Sequence, residues 1–335
     1  MRDVAALAGV GIKTVSRVIN NEPGVTPTTA EKVRAAALSL HFQPDLTAGN
    51  LRRSDRRSLS LGLLLASVDN PFCAAVHRAV EDVAGERGVA VFSASIDEDP
   101  DRERALVGAF TSRRVDGLIL TASSADQGYL NEESQAGTPI VLVDRPPRGI
   151  DVDSVVVDNA AGAAVATQHL IDHGHRRIAY LGDLSRIATA RERHRGFSET
   201  VRAAGLRPDD VQAIDDLHSE DAAEAAVLRL LDQHRPPTAL FTSQNLVTIG
   251  TIRALRSRGL QRQVAMVGFD DFELADLLEP GVTVIAQDPA LMGRLAGEQV
   301  FRRLDDGSLP TRRIVVPTRL VTRGSGEIRP PRAGA

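Results

Sequence analysis

The sequence predicts a small all-α helix-turn-helix head followed by an α/β body of two doubly wound parallel-sheet lobes. Two observations carry this. The first twenty residues place small and apolar side chains at helical spacing on either side of a glycine, and from Leu59 onward short continuous apolar runs alternate with helical segments. A chain of 335 residues with 42% hydrophobic and 25% charged content has room for more than one core.

In MRDVAALAGVGIKTVSRVIN, Ala5 and Ala8 are small enough for a second helix to cross closely, and Gly9 can take the positive φ of a tight turn. Val10, Val15 and Val18 bury the crossing. The first helix is expected to end near Ala8 and the second to run from Ile12 to Ile19. Ile12, Lys13, Ser16 and Arg17 then face away from the valines, a surface that fits a DNA major groove. The plainer alternative for Lys13 and Arg17 is a solvated helix face. Pro27 and Thr28 precede an Ala-rich amphipathic run and start a third helix, closing a head over residues 1–43. Pro44 and Asp45 open a short helix before an arginine-rich polar stretch, so residues 44–58 read as a hinge and linker.

In the body, LSLGLLLAS, VAVFSAS, DGLILTAS, PIVLVD, SVVVD, RIAYLGD, TALFTS, VAMVGFDD and VTVIAQD are strands, most of them separated by helices. Continuous apolar strands of this kind belong to parallel sheets covered on both faces. The body is expected over residues 59–328, with a lobe boundary near 158, the chain crossing back near 288, and a disordered tail at 329–335. Such lobes bind ligands in the crevice at the carboxyl ends of their strands.

Charge and composition narrow the function. The net charge is −4, yet residues 1–57 hold nine Lys and Arg against five Asp and Glu, while the rest holds 31 against 39. The basic excess sits in front, as a nucleic-acid-binding head requires. The single cysteine, Cys73, excludes an intramolecular disulfide and a multi-cysteine metal site. No apolar run reaches membrane-spanning length and no signal-peptide core opens the chain, so a cytoplasmic protein without membrane contact is expected. No phosphate-binding loop, nucleophile elbow or zinc-protease motif occurs, which makes an enzyme the weaker hypothesis. A transport receptor would leave the basic head unexplained.

Asp3 to Ala5, Ala8 to Val10, Thr14 to Val18 and Asn20 follow the head pattern of the LacI/GalR family of bacterial transcriptional regulators, and the chain resembles that family over essentially its whole length. The resemblance implies that Ile12 and Lys13 open a recognition helix and meet base edges with Arg17, while Thr14 and Ser16 hold phosphate; Asn20 completes the DNA-contacting set. Arg is suited to bidentate pairing with guanine, and hydroxyls to positioning contacts. The linker resembles the family's hinge helix, in which Leu51, with Ala48, would wedge into the minor groove. An exposed linker leucine is the alternative. Relatives carry a few residues before this motif, including a hydroxyl that caps the first helix, where this chain has Met1.

The body resembles ribose-type periplasmic binding proteins. The implied ligand-binding residues are Asn70 and Phe72 of NPF, Asp144 and Arg145 of VDR, Arg193, Gln244, Asp270 and Gln287. Planar Asp, Arg and Gln groups can chelate adjacent sugar hydroxyls, and Phe72 can cover an apolar sugar face. Singly, Asp270 could instead cap a helix and Arg193 could be a surface residue. Cys73 and the pair Gln244-Asn245 depart from the family pattern. His169, His173 and His175 form a candidate metal cluster, since residues four apart share a helix face, but Gly174 should end the helix before His175, so a packing and capping role is expected, with no metal and no cofactor. The expected whole is a homodimeric repressor that binds a near-palindromic double-stranded operator and responds to a small polar effector, a carbohydrate, between its lobes.

Overall fold

The computed structural model describes residues 1–19, 22–42 and 57–331. The chain divides into two compact units, Met1–Leu59 and Ser60–Ala335. The first unit contains helices α1 (Arg2–Ala8), α2 (Ile12–Ile19) and α3 (Pro27–Ser39). Gly9 takes φ 65° and ends α1, while the Val10 N–H donates to the Ala5 carbonyl at 3.0 Å and the Gly9 N–H to that of Ala6 at 3.3 Å. These two bonds satisfy carbonyls that a helix end would otherwise leave without partners and turn the chain into α2. Val4, Ala5, Val15, Val18, Val33 and Ala36 form the core at the meeting of the three helices. Pro27 occupies the first turn of α3, where its missing N–H costs nothing. Met1 gives α1 no side-chain cap.

The second unit is two sheets. The first lobe is laid down as β1 (Ser60–Leu65), α4 (Pro71–Glu86), β2 (Ala90–Ser95), α5 (Pro100–Ser112), β3 (Gly117–Leu120), α6 (Asn131–Gln135), β4 (Ile140–Asp144) and β5 (Asp153–Val157). The chain then crosses and builds α7 (Asn159–Asp172), β6 (Ile178–Leu181), α8 (Ala188–Ala203), β7 (Val211–Ile214), α9 (Glu220–Leu231), β8 (Ala239–Thr242), α10 (Asn245–Ser257), β9 (Ala265–Phe269) and β10 (Thr283–Ala286). It returns with α11 (Pro289–Asp305) and β11 (Arg313–Val316), and crosses a third time into β12 (Arg319–Val321). The sheet orders are β11-β5-β4-β3-β1-β2 and β12-β10-β9-β8-β6-β7. All pairs are parallel except the antiparallel pair β10 and β12.

β1 lies inside its sheet, with Leu63 opposite both Ser93 and Ile119. It is buried along its whole length, which is why it reads as an unbroken apolar run. The strands β7, β11 and β12 are absent from the sequence-based reading. Each is a sheet edge of three or four residues, only partly buried, so neither alternation nor a continuous apolar run marks it. The third crossing, after Val316, was missed with them.

The helix pair α9 and α10 packs so closely that a methyl group on the buried Gly250 would overlap the Glu220 carbonyl, whereas Gly108 on the exposed face of α5 has nothing within 4 Å. Thermal melts should therefore separate the two positions. Gly250→Ala is expected to lower stability by about 1–3 kcal/mol through overpacking. Gly108→Ala is expected to raise it by about 0.5–1 kcal/mol through helix propensity. Equal shifts would mean that α9 and α10 can separate freely.

Candidate functional site

In the first unit, α2 presents Ile12, Lys13 and Arg17 to solvent and turns Val15 and Val18 into the core. Thr14 and Ser16 are half-buried at the shoulders of this face, so Ser16 is less open than the helical pattern suggested. Asn20, Ala48 and Leu51, and the hinge around Gly49, lie outside the described residues.

In the second unit, the carboxyl ends of both sheets face one another, and buried polar side chains converge there. Asn70 accepts from the Phe72 N–H and so starts α4. Its amide also exchanges two 3.2 Å hydrogen bonds with Asn245 of the other lobe, each Nδ2 donating to the opposite Oδ1. Asp144 at the end of β4 and Asp270 just after β9 have left-handed backbones, with φ 71° and 72°. That conformation costs a non-glycine residue about 1–3 kcal/mol.

Two buried arginines anchor the site. Arg145 donates through Nη1 and Nη2 to the Glu98 carboxylate at 2.8 and 2.5 Å, and to the Ala122 carbonyl at 2.9 Å. Arg193 donates to Asn159 Oδ1 at 2.7 Å and to the Ser243 carbonyl at 2.6 Å. It lies 3.7 Å from an Asp270 oxygen and 3.8 Å above the Phe269 ring. Gln287 donates through Nε2 to Asp270 at 2.6 Å, and its Oε1 has no partner. Beside this lattice is a cavity of about 300 Å³ lined by Phe72 and Ala75 of the first lobe, Asp270 and Phe272 of the second, and Gln287 between them.

The electrostatics follow from burial. Desolvation pushes the Asp144 carboxyl up to about 6, against the pull of Arg145 and Arg193 and with the push of Asp270 and Glu98. Burial also raises Asp270, offset by Arg193 and the Gln287 hydrogen bond. The Arg145 guanidinium resists its burial because Glu98 holds its charge, and its pKa stays above the ordinary range.

Of the eight ligand-binding residues expected from the sequence, Phe72, Asp270 and Gln287 line the cavity, and Asp144, Arg145 and Arg193 form the charged lattice behind it. Arg193 is buried, not a surface residue, and Asp270 accepts from Gln287 and from the backbone N–H of Asn245 at the start of α10. Asn70 and Gln244 both act as helix caps, the Gln244 Oε1 accepting from the Leu246 N–H. Cys73 points into the first-lobe core, its thiol pushed up to about 11 by burial. Sequence reasoning missed Glu98, Asn245 and Phe272. His169 pairs with Glu327 at 2.6 Å, and His175, past the turn at Gly174, binds Thr238 and the Ile328 carbonyl. Among the described residues no group of three or more His, Cys, Asp or Glu could hold a metal ion, and no helix is long and apolar enough to cross a membrane.

A helix-turn-helix unit followed by two parallel-sheet lobes around a polar cleft defines a DNA-binding transcriptional regulator with a small-molecule site. Residues 1–45 match bacterial regulatory proteins of the lacI family, and residues 167–326 match the periplasmic binding protein-like domain. The chain is 33% identical over 325 residues to the ribose operon repressor of Halalkalibacterium halodurans, covering 96% of each protein. It superposes on the lac repressor dimer bound to operator and the anti-inducer ONPF with a TM-score of 0.85, at 25% identity over 97% of this chain and 98% of that one. A complex of the transcriptional regulator CelR with cellobiose matches at a TM-score of 0.70 and 33% identity, over 96% and 98%. The chain belongs to the lacI family of bacterial regulatory proteins.

The raised Asp144 makes stability depend on pH in a defined direction. Because the folded protein keeps this proton from the ordinary value of 3.8 up to about 6, the group's contribution to stability falls as pH rises through that window. Asp144→Asn removes the effect. Melts at pH 4, 5.5 and 7 should show the variant gaining on the wild type as pH rises; a constant difference would mean that Asp144 ionises as it does in the unfolded chain.

Proposed function

We propose that this regulator is a repressor whose heads, residues 1–43, read a near-palindromic operator, and whose body, residues 59–328, dimerises and takes a carbohydrate between its lobes. The observation that carries the effector reading is the convergence of Asp270 and Gln287 on a cavity flanked by two phenylalanines, with Arg193 behind it 3.7 Å from the Asp270 carboxylate. Planar groups with fixed donors and acceptors discriminate vicinal hydroxyls, and an aromatic ring covers the apolar face of a sugar. The names of the relatives support the same class: one represses a ribose operon and another was solved with cellobiose. A homodimer fits both the two-fold symmetry of an operator and the exposed Leu274 and Leu277 on the body. The hinge at 44–58 connects the two functions, with Ala48 and Leu51 placed in the minor groove. The protein acts in the cytoplasm, where the chromosome is, and no catalytic step belongs to it.

Selection of DNA fragments by the purified protein identifies the operator. Against that operator, Arg17→Ala should cost about 1–3 kcal/mol and relax preference at one base pair per half-site; unchanged preference would reduce Arg17 to a backbone contact. Calorimetry against a panel beginning with ribose and cellobiose tests the cleft. Gln287→Ala should weaken the sugar that binds by about 1–3 kcal/mol, because a buried hydroxyl and Asp270 both lose a partner. Unchanged affinity in this variant would place the sugar elsewhere.

A further inference from the structure

The seam between the lobes carries a second pocket with a basic lining. Arg145 and Arg148 reach it from the first lobe and Arg186 and Arg191 from the second, with Ser123 and Ser124 beside them. Its lining is braced from behind. The fully buried Glu103 accepts hydrogen bonds from the Ser123 N–H and hydroxyl, the Ser124 N–H and the Tyr129 hydroxyl. Gln127 pins Arg148 from both sides, its N–H donating to the Arg148 carbonyl and its Oε1 accepting from the Arg148 N–H, each at 2.8 Å. Arg191 holds the carbonyls of Ser185 and Arg186, and Arg186 reaches across the seam to the Glu98 carbonyl at 3.2 Å.

This arrangement has more donors than acceptors. The Ser124 hydroxyl is buried without any hydrogen-bond partner, in a residue only 7% exposed, whereas the Arg145 Nε lies 3.7 Å from an Asp144 oxygen. The nearby carboxylates are already committed: Glu98 to Arg145, Asp183 to His218, Asp216 to Ser185 and Asp126 to the Gly128 N–H. Among the described residues no carboxylate pairs with Arg148, Arg186 or Arg191. A buried donor without a partner beside exposed guanidinium groups that no carboxylate pairs with suits a ligand that only accepts. Donors approaching from both lobes and from a hydroxyl suit a tetrahedral dianion better than a planar carboxylate, which one guanidinium fork would satisfy.

We propose that this seam binds a phosphate group, held by Arg148 from one lobe and Arg186 and Arg191 from the other, with the Ser124 hydroxyl as a further donor. The site shares Arg145 with the charged lattice but none of the residues that line the carbohydrate cavity at Phe72 and Gln287. Its cations come from both lobes, so a bound phosphate bridges them. The phosphate can be free inorganic phosphate or the ester group of a phosphorylated sugar.

The test is calorimetry on the full chain at constant ionic strength, using inorganic phosphate, ribose and ribose 5-phosphate, with wild type, Arg148→Ala and Ser124→Ala. Arg148 is exposed, so its variant should fold as the wild type does. For a free-ion site, phosphate binds wild type with or without ribose present, Arg148→Ala weakens it at least fivefold, and ribose 5-phosphate binds no better than phosphate. For an ester site, ribose 5-phosphate binds wild type at least tenfold more tightly than either probe, and Arg148→Ala removes that advantage. Binding of both phosphate probes unchanged in both variants, or no phosphate binding beyond that of chloride, overturns the proposal. Phosphate bound through Arg148 by a protein that takes no sugar would confirm this site and overturn the carbohydrate reading.

Discussion

Two guanidinium groups held out of water, Arg145 in the first lobe and Arg193 in the second, set the terms for everything around the cleft. An uncompensated buried charge costs several kcal/mol, so each arginine requires partners in fixed places. Glu98 supplies them for Arg145; Asn159, the Ser243 carbonyl, Asp270 and the face of Phe269 supply them for Arg193. Most of those partners stand at or just beyond strand ends, which ties the charge lattice to the length and register of both sheets. The left-handed Asp144 and Asp270 are part of the same constraint: their backbone strain and raised pKa values are tolerated because packing and the two arginines hold them. A polar ligand entering here meets groups already dehydrated and oriented, which is how a site gains selectivity without reorganising.

The same architecture provides for movement. Three chain segments link the lobes, after Val157, Ala286 and Val316. Among the described residues, hydrogen bonds that cross the seam are the reciprocal amide pair of Asn70 and Asn245 and the reach of Arg186 to the Glu98 carbonyl. They can break and reform without disturbing either sheet, whose hydrogen bonds and cores lie within single lobes. Where such a body has two lobe arrangements, a ligand that touches both lobes shifts the balance by its difference in affinity for the two.

Most of this fold was legible in the sequence, and the failures have physical causes. The interior strands announced themselves because burial on both faces leaves no polar alternation. Val211–Ile214, Arg313–Val316 and Arg319–Val321 did not, since an edge strand of three or four residues needs little apolar character. The head was readable because Ala5, Gly9, Val15 and Val18 are each required by the crossing of two helices. In the cleft, Asp144, Arg193, Asp270 and Gln287 follow strand ends or the family pattern and were found. Glu98 was not, because it sits in the acidic stretch DEDPDRE that reads as solvated surface; its position just past a strand was the available signal. The pairing of Asn70 with Asn245 joins residues 175 apart in the chain, and no local pattern encodes it.

The central claim is that the lobes couple the cleft to DNA, and coupling between two binding sites must be reciprocal. The most direct measurement is a pair of titrations on one preparation: operator affinity with and without a saturating sugar, and sugar affinity with and without saturating operator. Both ratios should differ from one and be equal in size. Equal sugar affinity in free and operator-bound protein would contradict it, and would leave the head and the body as two binding modules on one chain.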